Sequence, residues 1–195
     1  MRISAKILPL AVAVALWGCQ KRTLAPIPQH LSDSLSHASL LTLTHGEGYT
    51  LATIADPWHA GHTLQRYVLT DRHRTDSLGE LPEGIVIPVP LERAAVFTAA
   101  HAQLLCWLHT ADKIVGVCDF RYMNIPEMRR QVADGETTDC GDGMAPDVER
   151  LRLAAPEAIL LSPYEGSNGY GRLTGLGCPI VQCADYMETS PLARA

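Results

Sequence analysis

The segment Pro146–Gly166, PDVERLRLAAPEAILLSPYEG, most restricts what this chain can become. It places a capped helix, a proline stop, a strand and a polar loop within one short run. Asp147 is an N-cap residue, because its carboxylate can accept the free N–H groups of a first helical turn. Glu149 lies at the positive end of the helix dipole, and Arg150 and Arg152 lie toward the negative end. Val148, Leu151 and Ala155 recur at i, i+3 and i+7, which predicts one apolar face. Pro156 ends the helix. Ala158–Leu161 is a continuous apolar run, as required of a strand covered on both faces. The loop Ser162–Asn168 then leaves the carboxyl end of that strand, where open α/β sheets hold their ligands.

From Arg93 onward the same texture repeats. Ala94–Phe97 reads as a strand, followed by a helix capped by Thr98 and running to about His109, with Leu104, Leu105 and Leu108 inward. Ile114–Cys118 is a second strand. Tyr122–Gly143 is a polar excursion containing Pro126. Tyr170–Leu176 is a short helix and Ile180–Ala184 a fourth strand. Strands separated by helical connections imply parallel, right-handed βαβ units. Residues 40–92 differ. Alternation on both sides of Gly46-Glu47-Gly48 predicts a hairpin, Gln65–Thr70 a third strand, and Ile85–Val89, bounded by prolines, an edge strand.

The amino terminus reads as a processing signal. Arg2 and Lys6 precede an apolar stretch, Ile7–Trp17, too short to span a bilayer. Leu16-Trp17-Gly18-Cys19 has the form of a bacterial lipobox, which predicts cleavage before Cys19 and lipidation of that residue; an ordinary signal peptide with a chance cysteine is the alternative. Residues 20–39 read as a flexible tether. Glu188–Ala195 reads as the first turn of a further helix, with Thr189 or Ser190 as cap and Pro191 in its first turn, so the sequence looks cut off there. The net charge of −5 and the scattered Lys and Arg argue against a nucleic-acid partner.

Candidate chemistry is sparse. Export permits disulfides. Cys178 and Cys183 sit at the ends of an extended run of about 16 Å, beyond the roughly 4.4–6.8 Å Cα separation of a bridge. Cys118 with Cys140 is the candidate pair; five small buried hydrophobes is the alternative. His59 and His62 have HxxH spacing but no third metal ligand, so no metal site is assigned. Gly166–Gly171 does not match a dinucleotide fingerprint and reads as a ligand-facing loop with glycine hinges. No nucleophile–base order is recognisable, and no cofactor is implied. The groups available at the strand ends are Thr98, His101, Tyr122, Asp142, Tyr164, Glu165, Asn168, Asp185, Tyr186 and Met187, aromatics with a few polar groups suited to a cleft.

Residues 93–195 resemble the amino-terminal lobe of ABC-importer substrate-binding proteins for iron chelates, haem and cobalamin. The resemblance rests on RAAVFTAAHAQLLCWL, KIVGVCD, PDVERLRLAAPEAILLSPYE and CPIVQCADYMETSPLARA. It implies an α/β fold: a parallel-sheet, Rossmann-like lobe of a two-lobe binding protein, preceded by a small β-hairpin region, with the second lobe missing and the helix beginning at Ser190 as the inter-lobe connection. It implies a binding module without enzymatic activity. Its partners would be an ABC permease with its ATPase, an iron chelate, haem or corrinoid, and the bilayer through lipidated Cys19 in the cell envelope. Glu127 occupies a place comparable to the family's permease-docking acidic residue. Two other readings stand beside it: a free-standing exported lipoprotein binding haem or metal through histidines and cysteines, and an exported enzyme using Glu165 or Asp185 as base.

Overall fold

The computed structural model describes residues 32–33, 35–74, 79–167 and 170–194. The lipobox with Cys19, and Asn168 of the glycine-rich loop, lie outside the described residues.

Two five-stranded sheets make up the fold. The first has the order β1-β2-β3-β4-β5, with β1 at Ser32–Asp33, β2 at Leu41–Gly46, β3 at Tyr49–Ala55, β4 at Thr63–Asp71 and β5 at Ile85–Val89. Gly46 pairs with Tyr49, so Glu47-Gly48 forms the two-residue turn, and Gly48 takes a positive φ of 80°, which glycine adopts without a Cβ clash. As predicted, β5 is an edge strand; it pairs in parallel with β4. The end of the expected tether is not free. Ser32–Asp33 pairs with β2, and Ser39 is bound by Glu188, because both backbone and hydroxyl donors there find acceptors in the folded core.

The second sheet is parallel throughout, in the order β12-β11-β6-β7-β8, built from β6 (Ala94–Val96), β7 (Ile114–Val117), β8 (Thr138–Asp139), β11 (Ala158–Leu161) and β12 (Ile180–Gln182). A separate short ribbon joins β9 (Gly141–Asp142) to β10 (Ala145–Pro146). The chain runs outward from β6 through β7 to β8, then crosses back to place β11 on the other side of β6. Strand order therefore reverses between β6 and β11, as in Rossmann-like sheets. The chain is thus α/β, with a parallel Rossmann-like sheet preceded by a β-rich region.

Helices cover both faces. Helix α1 (Ala99–Trp107) is capped by Thr98, and α3 (Val148–Ala154) is capped by Asp147, whose carboxylate accepts the N–H groups of Glu149 and Arg150. One apolar cluster joins Val96, Ala102, Ile114, Val117, Met123 and Met128; the other joins Ala95, Cys118, Cys140, Leu151, Ile159 and Leu173 on the opposite face.

Several local expectations change. Leu108 is largely exposed, and His101 and Ala102 face the interior instead, because α1 ends at Trp107 before a further turn can bury it. Ala155 is the left-handed C-cap of α3, with φ 46°, so Ala154 takes its place on the buried face. The excursion at 122–143 holds an ordered helix, α2 (Pro126–Ala133), and the edge strand β8. Pro126 sits in the first turn of α2, where its missing N–H costs nothing, so it starts a helix there. The segments after Tyr170 and Ser190 are 3-10 turns, at Gly171–Leu176 and Pro191–Ala193, and the Ser190 side chain makes no capping hydrogen bond.

The predicted Cys118–Cys140 bridge is not formed. Both thiols are free and buried in the same cluster. The Cys140 sulfur turns toward the Thr138 carbonyl at 3.5 Å and closes over Gly116, where a Cβ would lie 3.2 Å away. Packing, not oxidation, accounts for its position.

Candidate ligand-binding site

A cavity of about 630 Å³ opens at the carboxyl ends of β6 and β11, at the point where strand order reverses. Such a switch point holds ligands in open α/β sheets because adjoining loops part to opposite faces there. Its apolar wall comes from Phe97, Leu161, Leu173 and Met144. Its polar groups come from Thr98, Asp119, Ser162, Ser167, Tyr164, Tyr170 and Arg172.

Each polar group is placed by the strand or turn that carries it. Thr98 lies two residues past the end of β6; its side-chain oxygen caps α1 by accepting the His101 N–H. Asp119 follows β7 with a left-handed φ of 52°. Its own N–H donates to the Gly141 carbonyl at 2.7 Å, and its carboxylate accepts the Gly143 N–H at 3.2 Å. The β7 edge and the β9–β10 ribbon therefore meet at this carboxylate. A Cβ at Gly143 would stand 2.8 Å from Asp119 Oδ2, so a larger residue there would displace the carboxylate. The Tyr170 hydroxyl pairs with Ser167 Oγ at 3.1 Å and donates to Gln182 Oε1 at 3.3 Å. Burial raises its phenol pKa, so it stays protonated as a hydrogen-bonding group.

Of the sequence-predicted residues, Thr98 and Tyr164 line the cavity. His101 and Asp185 stand behind Thr98. His101 is only 6% exposed; its Nδ1 lies 2.8 Å from Thr98 Oγ1 and its Nε2 lies 2.9 Å from Asp185 Oδ1. Tyr186 donates its hydroxyl to the Pro163 carbonyl at 2.6 Å, which ties the turn after β12 to the loop after β11. Glu165 is exposed at the bend beside the cavity and is not in its wall. Tyr122 is exposed away from the cavity, with the Arg121 guanidinium 4.6 Å from its ring centre. Glu127 lies in the first turn of α2, not in a loop, and pairs with Arg130 at 2.9 Å.

Sequence reasoning missed Asp119, Arg172 and Met144, whereas Tyr170 belongs to the glycine-rich run read as a ligand-facing loop. Asp119 had a usable signal, as the first polar residue after the buried strand ending KIVGV. Met144 had none, because a fold-back of the β9–β10 ribbon brings it to the wall. His59 and His62 lie in an exposed turn with ring centres 6.3 Å apart, and His59 pairs with Asp56 at 3.0 Å. Among the described residues, no group of three His, Cys, Asp or Glu side chains is placed to share a metal ion, and no helix is long and apolar enough to cross a membrane.

Fold and cavity together define a Rossmann-like α/β lobe with a ligand-sized site at its strand-order reversal. No family model matches the chain. An uncharacterized lipoprotein of Methanocaldococcus jannaschii is 24% identical over 117 residues, covering 56% of this chain and 28% of that protein. Among solved structures, the petrobactin-binding protein YclQ of Bacillus subtilis aligns with a TM-score of 0.40 and 20% identity, over 49% of this chain and 32% of its own. The iron uptake ABC transporter substrate-binding protein PiuA of Streptococcus pneumoniae aligns with a TM-score of 0.40 and 18% identity, over 54% of this chain and 35% of its own. SirA of Staphylococcus aureus, solved with staphyloferrin B, aligns with a TM-score of 0.39 and 18% identity. The chain matches about a third or less of the length of each of the first relatives named.

Proposed function

We propose that this chain is a lipid-anchored substrate-binding component of an ABC importer, taking up an iron chelate, haem or a corrinoid at the outer side of a membrane. The observation that carries this reading is the cavity at the β6–β11 switch point. It has the size of a small-molecule site, an apolar wall and a few convergent polar groups. The sequence resemblance of residues 93–195 to binding-protein lobes supports the same reading. So does the lipobox at Cys19, beside a relative that is itself called a lipoprotein. In this reading the cavity is one wall of a cleft, the chain does no chemistry on its ligand, and Glu127 contributes to permease docking.

Equilibrium binding to the full chain tests it. Intrinsic fluorescence is followed during titration with a ferric trihydroxamate, a ferric tricatecholate, haem and cyanocobalamin. Saturable binding of one of them, weakened about tenfold by Tyr164→Ala, is expected for an aromatic contact in such a wall. Replacing His59 and His62 together with alanine should leave that binding unchanged. Haem binding abolished by the double histidine variant would replace this reading with direct haem binding by an exported lipoprotein. Because one wall alone binds weakly, the titrations run to millimolar probe; absence of binding by all four probes at that concentration would overturn the cavity assignment.

A further inference from the structure

We infer that Asp185 fixes the tautomer of His101 so that Thr98 is presented to the cavity as a hydrogen-bond acceptor, selecting a ligand with an N–H or O–H donor at that point. The inference rests on the cavity being the ligand site. Its structural half stands on three contacts. Asp185 Oδ1 is 2.9 Å from His101 Nε2, Thr98 Oγ1 is 2.8 Å from His101 Nδ1, and the His101 N–H donates to Thr98 Oγ1 at 3.3 Å.

A carboxylate only accepts, so the ring nitrogen facing it carries the hydrogen. In a neutral imidazole the other nitrogen is then an acceptor. Nδ1 therefore takes the hydroxyl hydrogen of Thr98. That hydroxyl has one hydrogen and two lone pairs. The hydrogen is committed to Nδ1, and one lone pair is occupied by the His101 N–H. One lone pair remains, and Thr98 is in the cavity wall. The opposite tautomer would set the Nε2 lone pair against the carboxylate in an almost fully buried place, an arrangement without a hydrogen to share.

The charged group facing the ring is Asp185, from the turn after β12; the contact from the cap of α1 is the uncharged Thr98. Cys183 and Tyr186 flank Asp185, and burial with the adjacent carboxylate raises the pKa of both, so they add no charge there. Thr98 is thus the specificity-determining contact, and His101 and Asp185 are positioning residues acting through it.

The tautomer is read directly on the unliganded full chain by long-range ¹H–¹⁵N imidazole spectroscopy at pH 8. A single form with hydrogen on Nε2 and none on Nδ1 is expected, and Asp185→Ala should produce a mixture of tautomers. Hydrogen on Nδ1 in the unsubstituted protein, or a spectrum unmoved by Asp185→Ala, would overturn the proposal. The ligand half uses two probes: a ferric trihydroxamate with amide N–H groups, and its N-methylated counterpart. N-methylation should weaken binding by up to about tenfold in the unsubstituted chain and in Thr98→Ser, but not in Thr98→Val. Equal binding of both probes to the unsubstituted chain would overturn the selection. Failure of both to bind would overturn the cavity reading, and is distinguishable because the tautomer is measured without ligand.

Discussion

The hydroxyl of Tyr67 accepts the backbone N–H of Gln182 at 2.8 Å, and it donates to the Ile180 carbonyl at 3.0 Å. Both groups point away from β11, toward the side where a further strand of the parallel sheet would lie. One phenol on β4 therefore takes the place of one residue of that strand. It closes the β12 edge and joins the two sheets, with Val181 packing on the same small cluster as Tyr67, Ala52 and Ile87. Tyr67→Phe keeps the ring but leaves two backbone groups of β12 without their partner. A loss of about 1–3 kcal/mol is expected, with faster amide exchange at Gln182 than at the β11 amides. An unchanged denaturation midpoint together with unchanged Gln182 exchange would show that water replaces the phenol fully.

Glu188 makes the second link between the sheets. Its carboxylate accepts the Ser39 hydroxyl at 2.6 Å, the Ser39 N–H at 2.8 and 3.0 Å and the Leu40 N–H at 2.6 Å. Burial alone raises its pKa, but the hydrogen bonds from Ser39 and Leu40 outweigh that and hold it below the ordinary glutamate value. The folded state thus binds its proton less readily than the unfolded state. Its contribution is fully present above the unfolded pKa, near 4.3, and is lost as pH falls through the folded value. Glu188→Gln should lower the thermal midpoint at pH 7 and flatten its decline on acidification. A variant with the same acid slope as the unsubstituted chain would remove Glu188 from this role.

The cysteines should behave as buried thiols. Desolvation is the main cause in each case; it pushes Cys140 up to about 11 and Cys183 up to about 12, and raises Cys118 further, with neighbouring acidic groups adding to it. A thiol so protonated is a poor nucleophile. With no reductant, Cys118 and Cys140 should resist a thiol reagent in the folded chain and react fully once it is unfolded. A mass two hydrogens short, located to the peptides holding these two residues, would show the bridge that the folded geometry does not make.

Gly143→Ala tests how the Asp119 carboxylate is held. The added methyl would stand 2.8 Å from Asp119 Oδ2, so the carboxylate must shift and its hydrogen bond from the Gly143 N–H must lengthen. About 1 kcal/mol or more of stability should be lost, together with any ligand affinity that depends on Asp119. Ligand affinity equal to that of the unsubstituted chain would place Asp119 outside the contact set.

Legibility in the sequence followed the range of the interactions. Asp147, Pro156 and the apolar run 158–161 act on neighbours a few residues away, so the capped helix and β11 could be read from the residues alone. The hairpin at Gly46–Tyr49 could be read for the same reason. β8 could not, because a two-residue strand has no periodicity and exists only through its pairing with Gly116 and Val117. Helix α2 was hidden by Pro126, whose effect changes sign with its position in a helix. The site divides the same way. Thr98 and Tyr164 stood at strand ends visible in the sequence. The inward turn of His101 onto Asp185, 84 residues later, depended on which strands become neighbours.

The sequence by itself determined an α/β chain with polar and aromatic side chains at the carboxyl ends of its strands, because capping, proline and apolar runs are local constraints. Only the tertiary structure decided which of those groups share a cavity, that Cys118 and Cys140 pack as thiols, and that Tyr67 and Glu188 bind the two sheets together. Those outcomes turn on distances between residues far apart in the chain, and such distances exist only once the sheets are closed.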